Sequence, residues 1–295
     1  MHILLTGGTG FIGQALSAEL VNLGYRLTIL TRQSLANSES IHYCHSLTEF
    51  SSLDGFDAVI NLAGEPIFDK AWTATQKQRL IDSRIHITDQ LVQLFLQSKQ
   101  PPKVFLSGSA TGIYGDLTHV KIGTELSACG EGFAAQLSQQ WEQAALKAQH
   151  LTRVCLLRTG MVLSPKGGAL KRMLPLYRLG LGGKLGDGKQ MWGVISLEDE
   201  IRAILFLLHQ PSAQGPYNLV NPAPISNAEF NQQLGKVLHR PVCFTAPAFG
   251  LKLLLGERAR LLLDNQPLIP QKLLAEGFQF QQTTLQQLLL SEKSQ

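Results

Sequence analysis

Cysteine is scarce in this chain of 295 residues, and the four present, Cys44, Cys129, Cys155 and Cys243, stand far apart with no C-x-x-C pair. That spacing excludes a disulfide frame and a structural zinc site, and predicts reduced core or near-core thiols of a cytoplasmic protein. Long hydrophobic runs are missing too, so no membrane span is expected. A strong charge excess is lacking: the formal net charge is +4 with no basic run, which gives no reason to expect a nucleic-acid partner. The eight histidines show no metal-ligand spacing. His42 and His45, on what reads as a polar loop with Cys44, lack a second pair of ligands, so no metal is expected. There is no nucleophile-elbow motif and no Ser/His/Asp constellation. With 44% hydrophobic and 16% charged residues, the remainder is an ordinary globular composition for one large domain or two unequal ones.

What is present is concentrated at the amino terminus. An apolar run, His2 to Thr6, leads directly into Gly7-Gly-Thr-Gly-Phe-Ile-Gly13, and an amphipathic stretch continues to Gly24. Strand, glycine loop and helix in that order make a dinucleotide phosphate site. Gly7 permits the tight turn, Gly10 lets the backbone approach a pyrophosphate, and Gly13 lets the helix pack close to the sheet. An opening on a core strand also leaves no room for a targeting peptide, which again predicts a cytoplasmic location. A second strand, Arg26 to Thr31, is followed by Arg32, and no Asp or Glu occurs between Glu19 and Glu39. The acidic residue that would read the ribose hydroxyl of NAD is therefore absent. A guanidinium there suits the 2′-phosphate of NADP(H), the cofactor expected.

Further along, strand and helix patterns alternate: a strand at 58–63, a helix at 75–97 stopped by Pro101-Pro102, a strand at 103–107, a helix at 133–149 and a strand at 151–157. The expected fold class is α/β, a Rossmann-type doubly wound parallel sheet. Glycine clusters and recurring prolines after about residue 163 predict a smaller α+β substrate lobe. The expected division is residues 1–163 for the cofactor domain, with some later elements interleaved, and 164–295 for the substrate lobe and C-terminal region. The leucine-rich stretch 249–263 reads as a buried or subunit-facing helix in preference to a membrane-surface one. Residues 291–295 read as a frayed tail.

The glycine loop, Asn61-Leu-Ala-Gly64 and Ser107-Gly-Ser-Ala-Thr-Gly-Ile-Tyr-Gly115 together resemble the extended short-chain dehydrogenase/reductase superfamily. Gly186-Asp-Gly-Lys-Gln190 followed by Glu198-Asp199 is similar to its nucleotide-sugar epimerase branch. More narrowly, the chain resembles the atypical epimerase family of the SDR39U1 type, which has its own C-terminal domain. That resemblance rests on Trp72, Asp82-Ser83-Arg84, Trp141-Glu142, Leu157-Arg-Thr-Gly160, Gly167-Gly168, Leu253-Leu-Leu-Gly-Glu257 and Glu276-Gly-Phe-Gln-Phe280. It implies an NADP(H)-binding epimerase-like oxidoreductase acting on a hydroxyl- or carbonyl-bearing small molecule, a nucleotide sugar among the candidates, and by analogy a homodimer. The cofactor contacts it implies are Gly7, Thr9, Gly10, Phe11, Ile12, Gly13, Thr31, Arg32, Leu62, Ala63, Gly64 and Ser107.

The resemblance also implies a catalytic serine, matched by Ser109, and a Tyr-x-x-x-Lys pair on the following helix. That pair is missing. Phe133 or Ala134 falls at the tyrosine position, and Leu137 or Ser138 near the lysine. Tyr114 is the candidate substitute for proton exchange. Lys77 and Arg84 are candidates to orient phosphate or substrate; the diphosphate-holding arginine of the branch is replaced here by Met191-Trp-Gly193, which leaves Lys189, Arg178 or Arg172 as substitutes, with Gln190 a further substrate-binding candidate. Without the tyrosine, a second reading stays open: an NADP(H)-binding sensor or scaffold with reduced turnover.

Overall fold

In a computed structural model, which describes residues 1–287, the first half of the chain winds strands and helices alternately: β1 (His2–Thr6), α1 (Phe11–Asn22), β2 (Arg26–Leu30), β3 (Ile41–Cys44), β4 (Ala58–Asn61), α2 (Ala74–Ile81), α3 (Ile87–Gln97), β5 (Val104–Ala110), α4 (Phe133–Leu146) and β6 (Arg153–Thr159). The second half supplies β7 (Met161–Ser164), α5 (Gly168–Arg178), β8 (Gly183–Leu185), β9 (Met191–Trp192), β10 (Val194–Ser196), α6 (Leu197–His209), β11 (Gly215–Leu219), β12 (Ile225–Ser226), α7 (Asn227–Leu238), β13 (Phe244–Ala246), α8 (Ala248–Leu255), α9 (Arg260–Leu263) and α10 (Gln271–Ala275). Seven strands form one sheet in the order β11-β6-β5-β4-β1-β2-β3, every pairing parallel. The order reverses beside β1, which places a crevice above the carboxyl ends of β1 and β4.

Central strands of such a sheet are covered on both faces, which is why they read as unbroken apolar runs. Ile3, Leu5, Ile60, Leu106 and Leu157 pack toward α1 and α6, and Leu4, Val59, Phe105 and Leu156 toward α3 and α4. Near the crevice the second face turns polar. Thr6 Oγ1 donates to Asn61 Oδ1 (2.6 Å), Asn61 Nδ2 and Trp141 Nε1 donate to Thr88 Oγ1 (2.8 and 3.0 Å), and Thr88 donates to the Arg84 carbonyl (2.7 Å). Closed in this way, the chain of bonds locks β1, β4, α3 and α4 together without leaving a buried donor idle.

Two local expectations are corrected. His42 does not lie on a loop but in β3, an edge strand paired with β2. The helix expected at 75–97 is interrupted by a π-helical turn over Asp82–His86. The late strand β11 joins the main sheet, while the smaller strands pair outside it as β10-β7, β12-β9 and β13-β8. The frayed tail expected at 291–295 lies outside the described residues.

Candidate functional site

The loop after β1 is shaped by what its glycines exclude. Gly7 adopts φ +72°, and a Cβ there would sit 2.5 Å from the Leu62 carbonyl oxygen. At Gly13 a Cβ would sit 2.1 Å from the Gly7 oxygen, so the first turn of α1 rests directly on the loop. Gly10 differs: its backbone is extended, and an added Cβ would meet only Gly7 O, at 3.2 Å. The room left by the missing side chain opens outward. Gly10 is the N-cap of α1 and offers no side-chain acceptor. The amides of Phe11, Ile12 and Gly13, which have no intrahelical partner, therefore face that room at the positive end of the helix dipole. This is an anion site built from backbone alone. Phe11 turns its ring onto Gly167 and Gly168, where a Cβ on Gly167 would overlap the ring at 2.2 Å, which accounts for the glycine pair.

Around this cradle the other expected contacts gather at the ends of β2 and β4. Thr31 is buried, and its hydroxyl lies 3.4 Å from that of Thr9. Arg32 stands exposed just beyond β2 and enters no ion pair among the described residues. The carboxylate of Glu65 is taken by Lys70 at 3.1 Å, which holds its pKa below the usual range. Leu62 and Ala63 donate their amides to the backbone oxygen and the hydroxyl of Thr6, respectively, fixing the β4 loop beside Gly7. Ser107 is completely buried and its hydroxyl has no partner, so it lies beneath this surface and not at it.

Ser109, at the end of β5, donates to Glu142 Oε1 (2.7 Å). Glu142 is gripped by Arg158 through two bonds, Nε to Oε1 at 2.8 Å and Nη2 to Oε2 at 2.9 Å. Both members of the pair are about 8% exposed. Arg158 also donates to the Glu125 carbonyl (3.1 Å) and to the Tyr114 hydroxyl (2.7 Å).

Tyr114 is accordingly not the cleft-facing group expected. It is 1% exposed, its hydroxyl donates to Asn218 Oδ1 (2.6 Å), and burial pushes its pKa up to about 12. A phenol so placed braces the loop after β5 and is unsuited to exchanging protons at neutral pH. Arg84 is likewise spent. It packs on Gly64 and donates to the Glu65 and Leu80 carbonyls (3.0 and 3.3 Å), and burial lowers its pKa to about 10. Ser83 accepts from the Glu65 amide (3.0 Å), so the π-helical turn clamps Glu65 at both its backbone groups. Gln190 is buried, with its amide nitrogen donating to the Leu185 and Leu262 carbonyls; it is a brace for the lobe, while Lys189 is exposed. Lys77 pairs with both oxygens of Glu257 at 2.8 Å and lies over the Phe133 ring.

Of the residues that the sequence offers at the missing pair, Ala134 and Ser138 face Gly112, and Ser138 donates back to the Ala134 carbonyl. Phe133 stacks edge-on with Trp72, ring centroids 5.0 Å apart. Neither alanine, serine nor phenylalanine replaces a phenol activated by a lysine. Sequence reasoning missed Gln266, which donates to the Thr111 and Gly115 carbonyls and so ties the C-terminal region to the loop after Ser109. It also missed that Cys129 and Cys243 are exposed; only Cys44 and Cys155 are buried.

A parallel doubly wound sheet, a capless glycine turn at its switch point and a polar strand end beside it define a nucleotide-binding α/β protein of the extended short-chain dehydrogenase/reductase type. The chain belongs to the NAD dependent epimerase/dehydratase family, whose model matches residues 3–221, and a domain of unknown function (DUF1731) matches residues 246–291. It is 40% identical over 287 residues to an epimerase family protein of Mycobacterium leprae, covering 96% of this chain and 92% of the relative. Human epimerase family protein SDR39U1, solved with NADPH, superposes with a TM-score of 0.90 at 32% identity, covering 99% and 98% of the two chains. A nucleoside-diphosphate sugar epimerase from Corynebacterium glutamicum matches at 28% identity and a TM-score of 0.77, over 97% of this chain and 56% of that one.

Proposed function

We propose that this chain is an NADP(H)-dependent oxidoreductase of the epimerase type, acting on a small molecule that bears a hydroxyl or carbonyl group, with sugars or nucleotide sugars as the favoured class. The observation that carries the reading is the open space in front of Gly10, into which uncapped amides of α1 point, with the unpaired Arg32 at the neighbouring strand end. Human SDR39U1, similar over the whole length, was solved with NADPH, which supports the same cofactor here. When bound, the cofactor supplies a nicotinamide carbon able to take or give a hydride.

The chain's own residues do the rest. Gly7, Gly10 and Gly13 leave the diphosphate its place, Thr9, Phe11 and Ile12 form its rim, and Arg32 meets the 2′-phosphate. Leu62, Ala63 and Gly64 line the crevice beyond β4. Because the proton of Ser109 is given to Glu142, the serine's lone pairs are what remain for a ligand. Ser109 therefore accepts a hydrogen bond from a substrate hydroxyl and positions the alcohol form. Arg158, by fixing Glu142, keeps the serine in that role. Lys189 is the exposed cation available for an anionic part of the substrate.

The second reading, a cofactor-binding sensor or scaffold, is favoured by one observation: α4 carries no tyrosine to serve as the acid/base group, and Tyr114 is sealed in the interior. A titration with NADPH and NADH, followed by a screen of sugars and nucleotide sugars for absorbance change at the nicotinamide, distinguishes the two. Turnover abolished by Ser109→Ala supports the enzyme; tight NADPH binding with no turnover on any of them supports the sensor.

A further inference from the structure

The sequence reads the leucine-rich stretch that holds α8 as a buried or subunit-facing helix; within this chain none of the eight residues of α8 is buried. Phe249, Leu253 and Leu254 are 75%, 88% and 79% exposed. Pro247 joins this helix directly to β13, whose Phe244 lies opposite Gly183 of β8 and is also exposed. Two residues before Gly183 comes Leu181, its amide bonded to the Leu176 carbonyl, and Leu176, Leu179 and Leu181 are all exposed at the end of α5. An apolar surface thus runs from the end of α5 across the β8-β13 pair to α8. Exposed apolar side chains grouped in this way mark a contact surface.

Its charges identify the contact. Arg178, Lys184, Arg240 and Lys252 are exposed on or beside these same elements, and none forms an ion pair among the described residues. Asp187 is the one carboxylate within residues 168–188 and 239–255. We propose that this face docks peripherally on an anionic membrane surface, with Phe249, Leu253 and Leu254 entering the boundary of headgroups and acyl chains and the cations meeting lipid phosphates. No helix among the described residues is long and apolar enough to cross a membrane, so the contact is one of lying on it. A second copy of the chain fits less well, because a two-fold contact would press like charges together around the patch. Beyond α8, Glu257 bonds Lys77 of α2 and Arg258 bonds the Phe68 carbonyl of the loop between β4 and α2. None of its residues belongs to the cofactor cradle, and the proposal stands apart from the cofactor reading.

Flotation of the full chain with vesicles of phosphatidylcholine alone, or mixed equally with phosphatidylglycerol, is the test. Binding is expected to the anionic vesicles at low salt and to weaken at high salt. The triple variant Phe249→Ser, Leu253→Ser, Leu254→Ser should lower the partition by about tenfold or more. Lys184→Glu with Lys252→Glu should lower it by about tenfold or more at low salt only. Both variants change exposed side chains, and unaltered circular dichroism with unaltered NADPH affinity shows that each is folded. The proposal is overturned if anionic vesicles float without the protein, or if the folded triple variant floats as well as its parent. It is equally overturned if light scattering finds a dimer that the triple variant dissolves, since the patch then belongs to a second copy.

Discussion

Replacing Gly10 and Gly13 by alanine, one at a time, separates the architecture of the cradle from its purpose. At Gly13 the new methyl would lie 2.1 Å from Gly7 O and 2.7 Å from the Gly8 Cα, both backbone atoms that cannot swing aside. Overpacking of this kind costs about 3 kcal/mol, which lowers Tm by roughly 5–10 °C in a chain of this size. At Gly10 the same methyl meets only Gly7 O at 3.2 Å, on an extended backbone that any residue tolerates. The cost to the fold is small, about 0.5 kcal/mol or less. That methyl nevertheless occupies the space before the amides of Phe11 and Ile12. Losing two charge-assisted hydrogen bonds at about 1.5 kcal/mol each weakens NADPH roughly 100-fold. Calorimetric titration and thermal melting, run on both variants, should show Gly10→Ala stable and weakly binding, and Gly13→Ala unstable. A Gly10→Ala protein that binds NADPH like its parent would refute the reasoning.

Other expectations are equally direct. Arg32→Asp should weaken NADPH by about tenfold or more while leaving NADH nearly unchanged, because only the phosphorylated ribose loses a guanidinium partner; equal losses in paired titrations would remove that role. Glu200 is wholly buried on α6, accepts from Thr159 at 2.8 Å with its second oxygen unpartnered, and burial raises its pKa from 4.5 to about 8. The folded state therefore holds a proton that the unfolded state releases between those two values. The stability this contributes is fully present below pH 4.5 and is lost as pH rises through 8, at about 1.4 kcal/mol per pH unit within the window. Melting curves of Glu200→Gln between pH 6 and about 8 should be flatter than those of the parent, and parallel curves would count against the assignment. Arg158→Met leaves Glu142 buried without its cation and should cost about 3–5 kcal/mol in denaturant unfolding; a loss below about 1 kcal/mol would show that the network is not the brace described.

Much of this was legible in the sequence because it depends on period and punctuation. The apolar runs that became β1, β4 and β5 are buried on both faces, and the glycine loop announces itself by what it lacks. β3 was not legible: Ile41-His-Tyr-Cys44 sits at the sheet edge and shows no burial pattern strong enough to stand out from a loop. The break at Asp82–His86 was hidden because a π-helical turn keeps the helical composition and shifts only the register. Side-chain direction is the deeper limit. Tyr114, Arg84 and Gln190 have the chemistry of site residues, and only the fold reveals that each spends its polar atoms on the protein itself. The leucines of α8 carry the same lesson reversed: composition suggested a buried or subunit-facing helix, and within the chain nothing among the described residues covers them.

The central claim is that the turn after β1, together with Arg32, holds a phosphorylated nicotinamide nucleotide. Isothermal calorimetry of the unmodified chain with NADPH and then with NADH tests it most directly. The account predicts a single site with NADPH bound about tenfold or more tighter than NADH. No heat with NADPH, or equal affinity for the two, would contradict it.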